Sequence, residues 1–324
     1  MKIQISPLIQ SSTKARYSDL FLHDELIYKP HRSPDVIQFI NETKINLLRI
    51  LGLEATHDVA FLSSSCRAFY AYLYQQCQPV NAACVNTGYW SRKACDYINA
   101  VGSAVLVDKP ESHHDWVHMC ECETISGQTF TEFYKNLSKD TIVSLDATGS
   151  LLAESLDRSR ADFIYASSGK HFSLPGMLVC LVSHRVKALL PDIPGSLMQY
   201  CDGEPVTPPV PLIRLLSLKC QDIIDMGIEN YEARIRLLSD YIYDRLESSS
   251  LFMPLHEKNR SRAIIVFSCI DAGLYEQARL YEPGLVNHSA LPQTFRLNVS
   301  CFETMDEVSE WFDKIEASIG GVCV

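Results

Sequence analysis

An α/β fold, with a large domain on a mostly parallel sheet and a small C-terminal α+β unit, follows from three features of the 324-residue sequence. Short apolar runs rich in Val, Ile, Leu and Cys alternate with longer amphipathic segments between residues 34 and 185, the rhythm of strands covered on both faces by helices. Pro205, Pro208 and Pro209 then interrupt the pattern ahead of a long helical stretch. The tail returns to strand and helix signals in a shorter unit of its own.

Hydrophobic periodicity predicts helices over Pro34–Leu51, Arg67–Gln76 and Ser91–Val101 in the first part. The apolar runs predict strands at Val59–Leu62, Ala83–Asn86, Ala104–Val107, Thr141–Asp146, Phe163–Ser167 and Met177–Ser183. Beyond the prolines, Leu212–Leu246 reads as helix bent near Gly227, a bridge between domains. Strands at Ala263–Cys269 and Phe295–Ser300 and a closing helix at Thr304–Ile319 complete the chain. The expected division is residues 1–235 for the large domain and 236–324 for the small one.

Composition narrows the function classes. With 47% hydrophobic and 21% charged residues the chain has the balance of an ordinary folded protein. A formal net charge of -10 provides no basic field for a phosphate backbone, so no nucleic-acid partner is expected. No apolar run approaches the roughly 20 residues that span a bilayer, which argues against a membrane partner. The twelve cysteines lack the dense spacing of a disulfide scaffold and no secretory apolar region follows Met1, so a reducing cytoplasm is expected. Cys120-Glu-Cys122 and His113-His114 have no second ligand pair at a zinc spacing, and no metal is expected there.

The chemistry concentrates in Thr141-Ile-Val-Ser-Leu-Asp146 and Phe163-Ile-Tyr-Ala-Ser-Ser-Gly-Lys170. An acid at one strand end and a lysine just beyond the next fall on the carboxyl edge of a parallel sheet, where α/β folds bind ligands. The pair suits pyridoxal phosphate (PLP), which needs a lysine for its Schiff base and a carboxylate to keep its pyridine nitrogen protonated. On spacing alone, Asp146 serves equally as a turn former and Lys170 as a solvated charge. Similarly, Ser63-Ser-Ser-Cys-Arg67, between a strand and a helix, reads either as a phosphate cradle or as simple N-capping by Ser65.

From Lys29 onward the sequence resembles the phosphoserine aminotransferases, class V members of the fold-type I PLP enzymes, whose large domain is aspartate aminotransferase-like. Four stretches carry the likeness: Lys29-Pro-His-Arg-Ser33, Val85-Asn-Thr-Gly-Tyr-Trp90, Cys122-Glu-Thr124 with Gly127, and Asp146 to Gly176. Val206-Thr-Pro-Pro209 and Thr294-Phe-Arg296 follow in the same order.

The resemblance implies roles for individual residues. Lys170 carries the cofactor and Asp146 faces its ring nitrogen. Trp90 stacks on the pyridine ring, Thr124 bonds near the ring hydroxyl, and Ser65, Cys66, Arg67 and Ser168 hold the phosphate side. Thr207 reaches the neighbouring subunit's cofactor, which implies a homodimer with composite active sites. His31, Arg32, Arg296 and His288 recognise the anionic ends of amino-acid and keto-acid substrates. His171, beside the lysine, is expected to be structural.

Three positions depart from the family pattern: Gly169 replaces a glutamine, Val206 an asparagine, and Asn287-His288-Ser289 lacks an arginine of the anion clamp. The implied reaction converts 3-phosphohydroxypyruvate and glutamate to phosphoserine and 2-oxoglutarate, in serine biosynthesis. The departures leave two alternatives: a class V enzyme acting on a different acid, and a non-catalytic relative of the fold.

Overall fold

The computed structural model describes residues 23–130, 137–154, 156–202, 207–281, 286–299 and 303–320. In chain order the first strands are β1 (His57–Leu62), β2 (Ala82–Val85), β3 (Ala104–Val107), β4 (Trp116–Cys120), β5 (Cys122–Glu123) and β6 (Gln128–Thr129). They are followed by β7 (Ile142–Asp146), β8 (Phe163–Ser167), β9 (Leu178–Ser183), β10 (Phe252–Pro254), β11 (Ile264–Cys269) and β12 (Thr294–Asn298).

Seven of these make one sheet in the order β1-β9-β8-β7-β4-β2-β3. Pairing is parallel from β8 through β7, β4 and β2 to β3, while β9 runs antiparallel to both of its neighbours. Reversal on either side of β9 leaves β1 pointing the same way as the parallel strands. Their carboxyl ends therefore share one edge, with Cys120, Asp146 and Tyr165 in direct register across it.

Strand side chains alternate between two apolar layers. Val59, Phe61, Met119, Leu145, Ile164 and Val179 face the layer shared with the helices Pro34–Leu51 and Val210–Met226. Ala60, Leu62, Cys84, Tyr165, Cys180 and Val182 face the layer shared with Cys66–Cys77 and Tyr89–Asn99. Both faces being covered explains the near-continuous apolar runs.

β4 is the main departure from the expected elements. It occupies the middle of the sheet, yet Trp116-Val-His-Met-Cys120 follows the polar run His113-His114-Asp115 and carries a histidine at its centre. His118 is fully buried with Nδ1 3.1 Å from Ser144 Oγ, so tertiary partners satisfy a residue that breaks the apolar pattern. The expected bent helix over 212–246 is instead two helices, Val210–Met226 and Ile228–Ser248, meeting at Gly227.

The C-terminal unit packs the antiparallel sheet β10-β11-β12 against the Met305–Gly320 helix. Along Ile228–Ser248, Tyr231 and Ile235 belong to the large core, whereas Leu238, Ile242 and Leu246 belong to the C-terminal one. Among the described residues no helix is long and apolar enough to cross a membrane.

Candidate active site

A cavity of about 330 Å³ opens at the carboxyl edge of the sheet. It gathers residues from four places: the N-terminus of the Cys66–Cys77 helix, the start of Tyr89–Asn99, the ends of β4 and β7, and the loop after β8. Asp146, Lys170, Trp90, Thr124, Ser65, Cys66, Arg67, His288 and Arg296 all line it.

Asp146 closes β7 at the cavity floor. Its Oδ2 accepts a 2.6 Å hydrogen bond from the Tyr70 hydroxyl and its Oδ1 accepts one of 3.0 Å from the Thr148 N–H. Burial raises its acidity constant above the ordinary carboxylate range, opposed by the bonds from Thr148 and Tyr70. It has no ion-pair partner among the described residues and is the only carboxylate lining the cavity, so a cationic group on a ligand would relieve it.

Lys170 stands in the loop that follows β8, part-buried. Burial, with the nearby Arg296 charge adding to it, brings its ammonium down to about 7. Among the described residues it has neither a hydrogen bond nor an ion pair. Gly169 before it lies against Pro175, and a Cβ there would come within 2.9 Å of Pro175 Cγ. Close packing of this loop thus accounts for glycine at a position where the family resemblance leads one to expect glutamine.

Trp90, in the first turn of its helix, is held at both ends. Its backbone N–H donates to Glu123 Oε2 at 2.8 Å and its indole Nε1–H to Thr124 Oγ1 at 3.0 Å. Thr124 keeps its own hydroxyl proton free to donate. Glu123 is buried, and burial pushes its carboxyl up to about 7 against the N–H bonds of Trp90 and Ile125. Gly88 makes this approach available: at φ +138, a Cβ would sit 2.8 Å from Glu123 Oε2.

At the other end, Ser65 occupies the N-cap of Cys66–Cys77 in an extended conformation without a side-chain capping bond. Simple capping therefore does not explain this serine. The free N–H groups of the first helical turn and the positive end of the dipole face the cavity, a setting for an anion. Cys66 Sγ lies 3.2 Å from Thr148 Oγ1, and the Arg67 guanidinium lies 5.2 Å from the centre of the Trp90 ring.

Arg296, on β12, reaches the cavity from the C-terminal unit and donates to the Thr124 carbonyl at 3.0 Å. Burial holds its guanidinium below the ordinary range, and no carboxylate pairs with it among the described residues. His288 Nδ1 accepts the Ala290 N–H at 3.0 Å, which leaves the ring proton on Nε2. Three cationic side chains around one floor carboxylate suit a ligand with negative ends.

Other expected residues lie elsewhere. The Ser168 hydroxyl is turned into its own loop, donating to the Leu174 carbonyl at 2.5 Å and accepting from the Met177 N–H at 3.2 Å. Ser168 therefore does not line the cavity; Ser167 does, and this corrects the expectation for the phosphate side. His31, Arg32 and Thr207 are not lining residues of this chain's cavity, and Thr207 is exposed. Val206 lies outside the described residues. His171 is buried beside Lys170, and burial takes its imidazole down to about 3. Tyr70 and Thr148 were not expected in the site, because a tyrosine on the sheet-facing side of a helix reads as core and a threonine after a strand as a turn.

The set fits PLP: a cation-free floor carboxylate for a ring N–H, a part-buried amine for the aldehyde, an indole wall for the ring and an anion-ready helix end for the phosphate. No family model matches the chain. A phosphoserine aminotransferase of Desulfatibacillum aliphaticivorans is 28% identical over 262 residues, covering 72% of this chain and 71% of that one. The phosphoserine aminotransferase of Saccharomyces cerevisiae is 24% identical, covering 84% and 82%. The solved phosphoserine aminotransferase of Bacillus circulans subsp. alkalophilus superposes with a TM-score of 0.84 at 18% identity, over 96% of each chain. The chain is a divergent relative of the phosphoserine aminotransferases and has their fold.

Proposed function

We propose that this chain is a PLP-dependent aminotransferase that passes the amino group of glutamate to 3-phosphohydroxypyruvate, giving phosphoserine and 2-oxoglutarate. The observation that carries the reading is a lysine held near neutrality and a buried carboxylate without a cation, lining the same cavity. The names of the curated relatives support the substrate pair.

Bound PLP supplies an aldehyde for covalent attachment of an amine and a protonated ring that withdraws electrons from it. Lys170 offers an unprotonated Nζ in useful amount at neutral pH, first as the group that holds the cofactor and then as the base that takes the Cα proton of the amino donor. Asp146 keeps a proton on the ring nitrogen, Trp90 covers one face, and Thr124 donates near the ring hydroxyl. Ser65, Cys66, Arg67 and Ser167 take the phosphate side. Arg296 binds a substrate carboxylate through its planar fork.

A second reading, a different and unphosphorylated acceptor acid, is favoured by one feature. His288 presents a single Nε2 proton toward the cavity, a poorer match to a phosphoryl group than a guanidinium fork. Exposed Thr207, outside its own chain's cavity, supports a homodimer in which it serves the neighbouring site. His31 and Arg32 are assigned to substrate recognition on the same reasoning. Net negative charge and free cysteines agree with a cytoplasmic enzyme of amino-acid biosynthesis.

Borohydride reduction of PLP-treated protein, followed by peptide mapping, tests the assignment: label on the Lys170 peptide is expected. Label elsewhere, or a colourless protein, refutes it and favours a non-catalytic relative. Rates with phosphorylated and unphosphorylated keto acids then choose between the two acceptors.

A further inference from the structure

We propose that Tyr70 is a positioning residue for Asp146: its hydroxyl fixes the orientation of that carboxylate and favours its charged form, so that the proton between them stays on the cofactor's ring nitrogen. The inference rests on the PLP reading above.

Tyr70 lies one turn along the helix from Cys66, so both side chains share the face that lines the cavity. The two Asp146 oxygens are held separately, Oδ2 by the phenol at 2.6 Å and Oδ1 by the Thr148 N–H at 3.0 Å, which sets the plane of the carboxylate. The tyrosine ring is itself caged by His118 at 5.4 Å, Tyr165 at 6.1 Å and Tyr97 at 6.5 Å between centroids. Among the described residues Asp146 is its one hydrogen-bond acceptor. Burial, with the Asp146 charge adding to it, drives the phenol well above its ordinary range, so it acts as a donor and does not ionise.

No cation opposes this arrangement from the packed elements. The same helix contributes Cys66, β4 contributes His118, Cys120 and Glu121, β8 contributes Tyr165, and the loop beyond it Lys170. Burial takes His118 down to about 3, so it is uncharged, and Glu121 is paired with Arg158 at 2.8 Å. In a site of low polarity one proton shared by a carboxylate and a pyridine nitrogen goes to the stronger base. A short hydrogen bond to the carboxylate weakens it as a base and leaves the proton on nitrogen. Without the phenol the proton shifts toward Asp146, the ring loses positive charge, and the nitrogen attached through Lys170 becomes more basic.

The test is an absorbance titration of PLP-loaded wild type, Tyr70→Phe, and protein with 3-fluorotyrosine at position 70. The phenylalanine retains the caged ring, and the fluorinated phenol is a stronger donor. For Tyr70→Phe the midpoint of the colour change should rise by about one pH unit, a tenfold change in the equilibrium. The fluorinated protein should move the opposite way. Midpoints unmoved in both variants, with PLP still bound, overturn the role of Tyr70 and leave the cofactor reading standing. A wild type that takes up no PLP overturns both.

Discussion

Replacing Lys170 by methionine should stabilise the cofactor-free protein at neutral pH and abolish a pH dependence that the wild type carries. The Lys170 ammonium falls from an ordinary 10.5 to about 7 on folding, chiefly through burial. At roughly 1.4 kcal/mol per unit, the difference amounts to about 5 kcal/mol as an upper bound. Solvent reaching a part-buried amine should reduce this to about 2 to 3 kcal/mol. Below pH 7 both folded and unfolded chains hold the proton, and the folded state bears the whole penalty. Between pH 7 and 10.5 the unfolded chain binds more protons, so wild-type stability rises with pH; above 10.5 the penalty is gone. Urea unfolding of both apoproteins from pH 6 to pH 10 measures this directly. The gap in favour of Lys170→Met should be largest at pH 6 and close toward pH 10. A gap that stays constant across this range would refute the claim that the folded protein depresses this lysine.

Other substitutions probe the same site and its support. Asp146→Ala should reduce turnover by about a thousandfold, since electron withdrawal by the ring depends on its charge, with little change in far-UV circular dichroism; near-normal turnover would remove Asp146 from its role. Gly88→Ala forces a Cβ against Glu123 at a left-handed φ, so a loss of about 1 to 3 kcal/mol in unfolding experiments is expected, together with altered tryptophan fluorescence. Arg158→Ala strands the fully buried Glu121 carboxylate, which also accepts from Ser150 at 2.5 Å, and should cost about 3 to 5 kcal/mol. Equal stability of this variant and the wild type at pH 7 would show that the pair adds nothing.

Much of the sheet was readable because buried parallel strands leave apolar runs bounded by polar turns. β3 and β8 match their expected spans, and the Pro34–Leu51 helix does so at both ends. β4 escaped because His118 interrupts its run, and only Ser144, Tyr165 and Tyr70 across the fold make that histidine acceptable in a core. Asp146 and Lys170 stood out as a pair because strand ends put them on one edge, and both do line one cavity. Tyr70 gave no signal, since the difference between a core tyrosine and one bonded to a floor carboxylate depends on where the helix docks. Glu123 was visible only as part of a motif; its grip on Trp90 requires the close approach at Gly88. Ser168 misled because two adjacent serines are equivalent in sequence, while the loop turns one outward and the other inward.

The Ile228–Ser248 helix contributes its first turns to one apolar core and its later turns to the other. Ser261 and the Arg262 N–H add a clasp on Glu154, at 2.5 and 3.0 Å. Neither half can melt without fraying a rod that the other half needs, so heat should dissolve the chain in one calorimetric peak instead of two. The same rod brings Arg296 into reach of the sheet's edge only while both halves are intact, which makes substrate recognition an early casualty of any partial unfolding.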